Sequence, residues 1–398
     1  MYSPQPSEYV NPQIDSKLFS TALELREDIY GYLIPYGVHA SISRGRILLS
    51  VCVQDDPNRS RAGDERSGLD DDGVNSPLFG VEDPLLLQRL RSTWGPHWKC
   101  QELASRVNHS IEKIRNTDLS IFQTCKRLRS EMMAFIFHAA ILHVTDLDML
   151  QRLLGQTPTE NSLDATLLPE YLSLAATQIH NLSITLRLPL KTFRKIERFK
   201  SPITKDSLST VPAWIRLCPA MARFERLQKL HLWVDHTSQK SWTMVSERAF
   251  LAPLNELLAA NPELKVYVNL PFLHPHYETP KNHFVPKGPP PPYTIGRRLR
   301  QRLHALTFRT EIHEIWVADF PIMYKGLPGE NLERKVEFER MLWEKGHDVE
   351  EEVRLLNPTT ITYENPRNAI VPDEDKSESE VDAEVSYSEQ SDDASSED

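Results

Sequence analysis

A run of short strand signatures in the second half of the chain constrains its fold more than any other feature. They are NLSITLRL at Asn181 to Leu188, KLHLWV at Lys229 to Val234, KVYVNL at Lys265 to Leu270 and IHEIWV at Ile312 to Val317. Each alternates apolar and polar residues with the period of two that a strand requires. Helical patterns fit between them at Pro212 to Phe224 and Val245 to Leu258. Strands joined by crossovers of this length favour parallel pairing, because a tight hairpin cannot return a chain to the same direction. The spacing from Leu182 to Leu230 to Val266 is 48 and then 36 residues. That is too irregular for a strict leucine-rich repeat. It points to a loose, irregular solenoid-like β/α sheet.

The first half has a different texture. Leu18 to Ile34 carries Leu18, Leu25, Ile29 and Leu33 at helical spacing, with Phe19, Ala22 and Tyr30 beside them, and Pro35 ends the element. Val38 to Ile42 and Arg46 to Val53 suggest a hairpin around Ser43 to Gly45. Helices are expected near Asp83 to Arg91, Pro96 to Val107 and Ser120 to Phe137. A strand at Ile141 to Val144 and a helix through Leu154 follow. The expected class is thus α+β to α/β, a helical start followed by the β/α sheet, with disordered termini. The expected divisions are a polar N-terminus at 1–17 and a helical and hairpin part at 18–53 and 81–160 with a flexible insertion at 54–80. Then come a β/α part at 161–345 with a proline-rich loop at 271–293, and an acidic tail at 346–398.

Charge and composition exclude several functions. The formal net charge is -10, yet residues 371–398 alone hold twelve acids and one base. The body is therefore nearly neutral and exerts little long-range pull on phosphate backbones, so nucleic acid is not the expected partner. Only 14 glycines occur, and no glycine-rich phosphate loop, GxSxG nucleophile turn, HExxH or calcium-loop motif is present. The longest uncharged apolar run, Met132 to Val144, is thirteen residues, short of the ~20 a membrane span needs. Met1 to Pro6 has no basic and apolar leader pattern, so an intracellular site, cytoplasm or nucleus, is expected. Cys52, Cys100, Cys125 and Cys218 all lie more than 20 residues apart. That spacing fits neither a disulfide scaffold nor a Cys-x-x-Cys zinc site, and it suits a reducing compartment. Neither a cofactor nor a metal is expected.

Two segments carry a resemblance. LELREDIYGYL at Leu23 to Leu33 and FQTCKRLRSE at Phe122 to Glu131, the latter running on to Phe137 and the strand at Leu142 to Val144, stand in order along the chain. LQKLHL at Leu227 to Leu232 and LKVYVNLP at Leu264 to Pro271 follow. Together they resemble a large fungal family of unknown function with an F-box-like start, over residues of about 18 to 275. Thr21-Ala22 replaces the family's opening Leu-Pro. The resemblance implies a non-enzymatic protein-protein interaction module, a candidate target-recognition subunit of a ubiquitin ligase. Leu25, Ile29 and Leu33 would then form the face that docks a Skp-type adaptor. The same three residues equally suit a core-facing helix, and their exposure separates the two readings.

Other signals offer alternatives. Pro290, Pro291 and Tyr293 belong to a PPPY segment that matches the ligand pattern of WW domains, or else form a stiff linker. Basic runs at Lys191 to Lys200 and Arg297 to Arg302 could touch nucleic acid weakly, or simply be solvated helix faces. His274, His276 and His283 lack acidic or thiolate partners at ligand spacing. Asp146 and Asp148 fit a helix cap, and Cys125 fits the apolar face of its helix. Ser377, Ser379, Ser386 and Ser395 each precede an acid by three residues, the pattern favoured by acid-directed kinases.

Overall fold

The computed structural model describes residues 13, 15–43, 46–54, 92–109, 125–155, 177–199, 212–286, 288–308, 311–322 and 332–356. A single row of apolar residues sets the register of its main sheet. Strand β1 (Val38–Ser43) pairs antiparallel with β2 (Arg46–Val51) on one side and parallel with β3 (Ile141–Val144) on the other. The sheet then continues in parallel through β4 (Asn181–Leu188), β5 (Lys229–His236), β6 (Lys265–Pro271) and β7 (Thr294–Arg298), in chain order. Val38, Leu142, Leu182, Leu230 and Val266 lie side by side across it, all buried. The uneven spacing in the sequence is therefore one row, reached by crossovers of different length.

Helices supply the rest. In chain order they are α1 (Lys17–Ser20), α2 (Leu23–Leu33), α3 (Trp98–His109), α4 (Lys126–His138), α5 (Leu147–Leu153) and α6 (Leu190–Arg198). They continue with α7 (Ala213–Ala220), α8 (Glu247–Leu251), α9 (Pro253–Ala260), α10 (Leu332–Glu344) and α11 (Val349–Leu356). The main core joins Leu142, Leu182, Leu230 and Val266 to Met149, Leu150, Phe193, Trp214, Phe250 and Leu257 from α5 to α9. Trp214 stacks on Phe250 at 5.1 Å, and its indole N–H donates to the Phe250 carbonyl at 2.7 Å, so its polar atom is satisfied inside the core. A smaller core of Tyr30, Ile34, Val38, Leu128, Met132 and Ile136 holds α2 and α4 against the β1 end of the sheet.

Several expectations are corrected. The helical part and the β/α part share one sheet, because β3 finds its backbone partners in β1 and β4 and so bridges the expected boundary near 160. The helix expected from Leu18 is broken between α1 and α2. Thr21 and Ala22 adopt extended backbone there, with the Thr21 hydroxyl donating to the Lys17 carbonyl at 3.0 Å. IHEIWV does not extend the parallel sheet. It forms β9 (Glu311–Ala318), antiparallel to an unexpected β8 (Gln301–Phe308) in a separate two-stranded sheet. β7 was also unexpected, and α11 lies within the stretch read as the start of the acidic tail. The insertion at 55–80, the helix near Asp83 to Arg91 and the tail beyond 356 lie outside the described residues. Among the described residues, no helix is long and apolar enough to cross a membrane.

Candidate functional site

Two features are built into the β1 end of the sheet, one exposed and one buried. The exposed one is a face of α2. Arg26 and Tyr30, four residues apart, share one side of that helix and turn inward onto Glu131 of α4. Arg26 donates to the Glu131 carboxylate through Nε at 2.9 Å and Nη2 at 3.1 Å, and the Tyr30 hydroxyl donates at 3.1 Å. Arg127 adds a bond at 3.1 Å and lies over the Phe19 ring at 4.2 Å. Burial works to raise the Glu131 pKa, but the bonds from Arg26, Arg127 and Tyr30 outweigh it and hold the carboxyl below its ordinary value. Burial and the adjacent carboxylate push Tyr30 up to about 12. Beside the anchored Arg26 and Tyr30, the adjacent stripe is exposed to solvent: Leu25 is 56% exposed, Ile29 45% and Leu33 43%. Tyr32, three residues from Ile29, extends the patch. The apolar periodicity of α2 therefore marks its outer side, and a polar network holds its inner side.

The buried feature joins His39 of β1, Cys52 just beyond β2, His97 just before α3 and Cys100 in its first turn. Two glycines make the approach possible. Gly37 has φ +96, and its carbonyl accepts from the Cys52 N–H at 2.9 Å, which closes the hairpin beside His39. A Cβ there would lie 2.2 Å from the Ile141 carbonyl oxygen. Gly95 has φ +51 and opens a 3-10 turn, Gly95–His97, that runs into α3. A Cβ on Gly95 would sit 2.7 Å from the Trp233 ring. Only glycine therefore lets the chain cross the sheet close enough to aim His97 and Cys100 at the hairpin.

The four potential donor atoms lie within 4.8 Å of one another and all four residues are buried. The Cys52 and Cys100 sulfurs are 3.8 Å apart, and Cys52 Sγ lies 3.4 Å from His97 Nδ1. The Val53 N–H donates to the Cys100 sulfur at 3.4 Å. His39 is fully buried, and neither of its ring nitrogens has a hydrogen-bond partner; nor does His97 Nε2. The rings are held by stacking. Trp94 lies 4.9 Å from the His39 centroid, and His143 lies 4.7 Å from His39 and 4.6 Å from His97. His143 is oriented by its Nε2–H, which donates to the Tyr36 carbonyl at 2.8 Å. Burial, with the neighbouring histidines, keeps His39 and His97 well below the usual imidazole range. The hydrogen bond with Cys52 leads the causes that lower the Cys100 thiol.

Cysteine spacing alone does not reveal this cluster, because Cys52 and Cys100 lie 48 residues apart and the other two donors are histidines. The local signal is His97-x-x-Cys100, which puts an imidazole and a thiol on one turn. His39 and Cys52 join it only once the hairpin has formed.

The other candidates are scattered. Tyr293 is 8% exposed, packed in the main core and edge-on to Phe284 at 5.9 Å. Pro290 is exposed and Pro291 half-buried, so the PPPY segment offers its prolines but not its tyrosine. Arg297, Arg298 and Arg300 form no solvated face. Arg297 pairs with buried Glu247, its Nη2 at 2.9 Å, and Arg300 Nε pairs with buried Asp235 at 2.7 Å. Arg298 lies over the Trp233 ring at 3.9 Å. In α6, Phe193 and Ile196 face the core while Lys191, Lys195 and Arg198 face outward. Asp146 caps α5, accepting from the Met149 N–H at 2.6 Å. Cys125 is the N-cap of α4, half-buried against the smaller core, and its sulfur accepts from the Leu128 N–H at 3.3 Å. His283 is engaged by the backbone of Thr279 and Thr243, while His274 packs against Trp343 at 4.7 Å. Ser377, Ser379, Ser386 and Ser395 lie outside the described residues.

Residues 11–282 match the family described as Domain of unknown function (DUF7730), and the chain belongs to that family. The match takes in both features of the β1 end and all strands through β6. No curated protein and no solved structure matches the chain.

Proposed function

We propose that this chain is a protein-protein interaction module without catalytic chemistry of its own, and that α2 is its docking element. The observation that carries the reading is the outward stripe of Leu25, Ile29 and Leu33. Among the described residues this apolar stripe on α2 stays exposed, and such patches mark interaction sites. Spacing of four residues between successive anchors suits a helix laid against a partner's apolar groove. The resemblance of Leu23 to Leu33 to an F-box-like start supports a Skp-type adaptor as the occupant, and the β/α part would then present a surface to a target protein.

The test uses the full chain and a purified recombinant Skp-type adaptor. The wild type is expected to bind, and Leu25→Asp/Ile29→Asp is expected to bind at least ~30-fold more weakly, the loss of a hot-spot contact of about 2 kcal/mol. Its unfolding midpoint should stay unchanged, since both side chains are already exposed. Absence of binding by the wild type, or full binding by the double variant, overturns the reading.

A further inference from the structure

We propose that His39, Cys52, His97 and Cys100 bind one divalent zinc-class cation in a closed tetrahedral site, which pins the segment leading into α3 onto the β1–β2 hairpin. Geometry carries the argument. Zinc bonds of about 2.3 Å to sulfur and about 2.0–2.1 Å to nitrogen set tetrahedral edges of about 3.8 Å between sulfurs and about 3.5 Å between sulfur and nitrogen. The observed separations are 3.8 Å between Cys52 and Cys100 and 3.4 Å between Cys52 and His97. His39 supplies the fourth donor, and all four donor atoms lie within 4.8 Å. Chelation then needs a contraction of about 1 Å, within the reach of side-chain rotation.

The chemistry of the donors points the same way. A buried imidazole with both nitrogens unpartnered is costly, since each unsatisfied buried polar group carries a penalty of about 1–3 kcal/mol. His39 is such a residue, and His97 leaves Nε2 in the same condition. A metal bond would occupy the lone pair of one His39 nitrogen, whereas His97 faces Cys52 through Nδ1, so its Nε2 would stay outside the coordination. Two thiolates neutralise a divalent ion, so the assembled centre carries no net charge into a buried site. Thiolate and imidazole together select zinc over calcium or magnesium, which prefer oxygen ligands. The Val53 N–H directed at Cys100 stabilises a sulfur that carries negative charge. Four protein donors leave no coordination position open, so the site is structural. Its ligands come from parts of the chain 45 residues apart or more, such as Cys52 and His97, so closing them together stabilises long-range contacts. The exposed face of α2 plays no part in this argument, and the two proposals fail separately.

The test is metal analysis of the full chain purified without chelator, followed by stripping and titration with cobalt(II). A single equivalent of zinc is expected. Cobalt should give the intense visible bands of tetrahedral coordination together with a thiolate-to-cobalt charge-transfer band in the near ultraviolet. Cys52→Ser/Cys100→Ser should lose the charge-transfer band, and Cys125→Ser should keep it. If the double variant fails to fold, the wild-type cobalt spectrum still decides. A folded wild type with no stoichiometric zinc and no tetrahedral cobalt spectrum overturns the proposal. So does a Cys52–Cys100 disulfide recovered in place of metal, or a charge-transfer band that survives in a folded double variant.

Discussion

Removing the Asp235 carboxylate should be among the most destabilising single changes available to this chain. Asp235 stands near the end of β5, fully buried, at the meeting point of three arginines. Arg300 Nε donates to it at 2.7 Å and Arg187 Nη2 at 3.2 Å, while Arg298 Nη2 stands 3.5 Å away. The His236 backbone N–H donates at 2.7 Å. Burial opposes ionisation of this carboxyl, but Arg300, Arg187 and Arg298 outweigh it and hold its pKa well below the usual carboxylate range. Its charge in the folded state therefore persists well below about pH 4, the unfolded value, and its contribution is complete above about pH 4 and drains away as the pH falls from there toward the folded value. Asp235→Ala leaves Arg300 and Arg187 without their shared anion in a dry site, where breaking a buried pair costs about 3–5 kcal/mol. For a chain of 398 residues that corresponds to a fall in Tm of about 4–6 °C. Urea unfolding at neutral pH measures it directly. Asp235→Asn keeps an acceptor oxygen but no charge and should fall between. A cycle with Arg300→Ala should show a coupling of about 1–3 kcal/mol. A loss below about 1 kcal/mol for Asp235→Ala, or strict additivity with Arg300→Ala, would refute the view that this cluster braces the sheet.

Further outcomes follow from neighbouring residues. Burial, then the adjacent Arg300 guanidinium, lowers His236 to about 3. An unfolded histidine titrates near 6.5, so its contribution is complete above about pH 6.5 and drains away toward about pH 3, at up to ~1.4 kcal/mol per pH unit. His236→Phe should flatten that part of the stability profile between about pH 6 and 4, and an unchanged slope in urea melts would count against it. Gly95→Ala forces a Cβ against a Trp233 ring clamped by Arg298 and imposes φ +51 on an alanine. A loss of about 2–4 kcal/mol is expected, and a loss under about 0.5 kcal/mol would show that the ring yields freely. Tyr293→Ala should cost about 3 kcal/mol through the cavity it leaves in the main core, and an unfolding midpoint equal to wild type would place Tyr293 outside that core.

The strands were the most legible part of the chain. NLSITLRL, KLHLWV and KVYVNL alternate so regularly that their positions can be read directly, and the length of their crossovers gives their parallel pairing. IHEIWV alternates just as well, yet it pairs with β8 in another sheet. Alternation records that one strand face is apolar, not which sheet will cover it. Arg297, Arg298 and Arg300 looked like a solvated basic face because arginine is seldom buried. Their inward placement depends on Asp235 and Glu247, which stand 50 to 65 residues away. The stripe on α2 was plain from its spacing, but its outward direction was not. A helical repeat is the same whether it meets a core or a partner. The network of Arg26, Tyr30 and Glu131 chose the side, with Glu131 105 residues from Arg26.

By itself the sequence determined a near-neutral body, a class of mixed helices and parallel strands, and the absence of glycine-rich phosphate loops. These are local quantities, written in composition and in periods of 2 and 3.6 residues. Tertiary structure alone decided the assembly of His39, Cys52, His97 and Cys100. The hairpin turns His39 toward Cys52, and the glycine-led turn at Gly95 brings His97 and Cys100 across the sheet to meet them. A ligand set needs distances of a few ångströms in space. Separation along the chain carries that information only when all the donors sit on one local motif, and here they come from a strand, a strand end and the start of a helix.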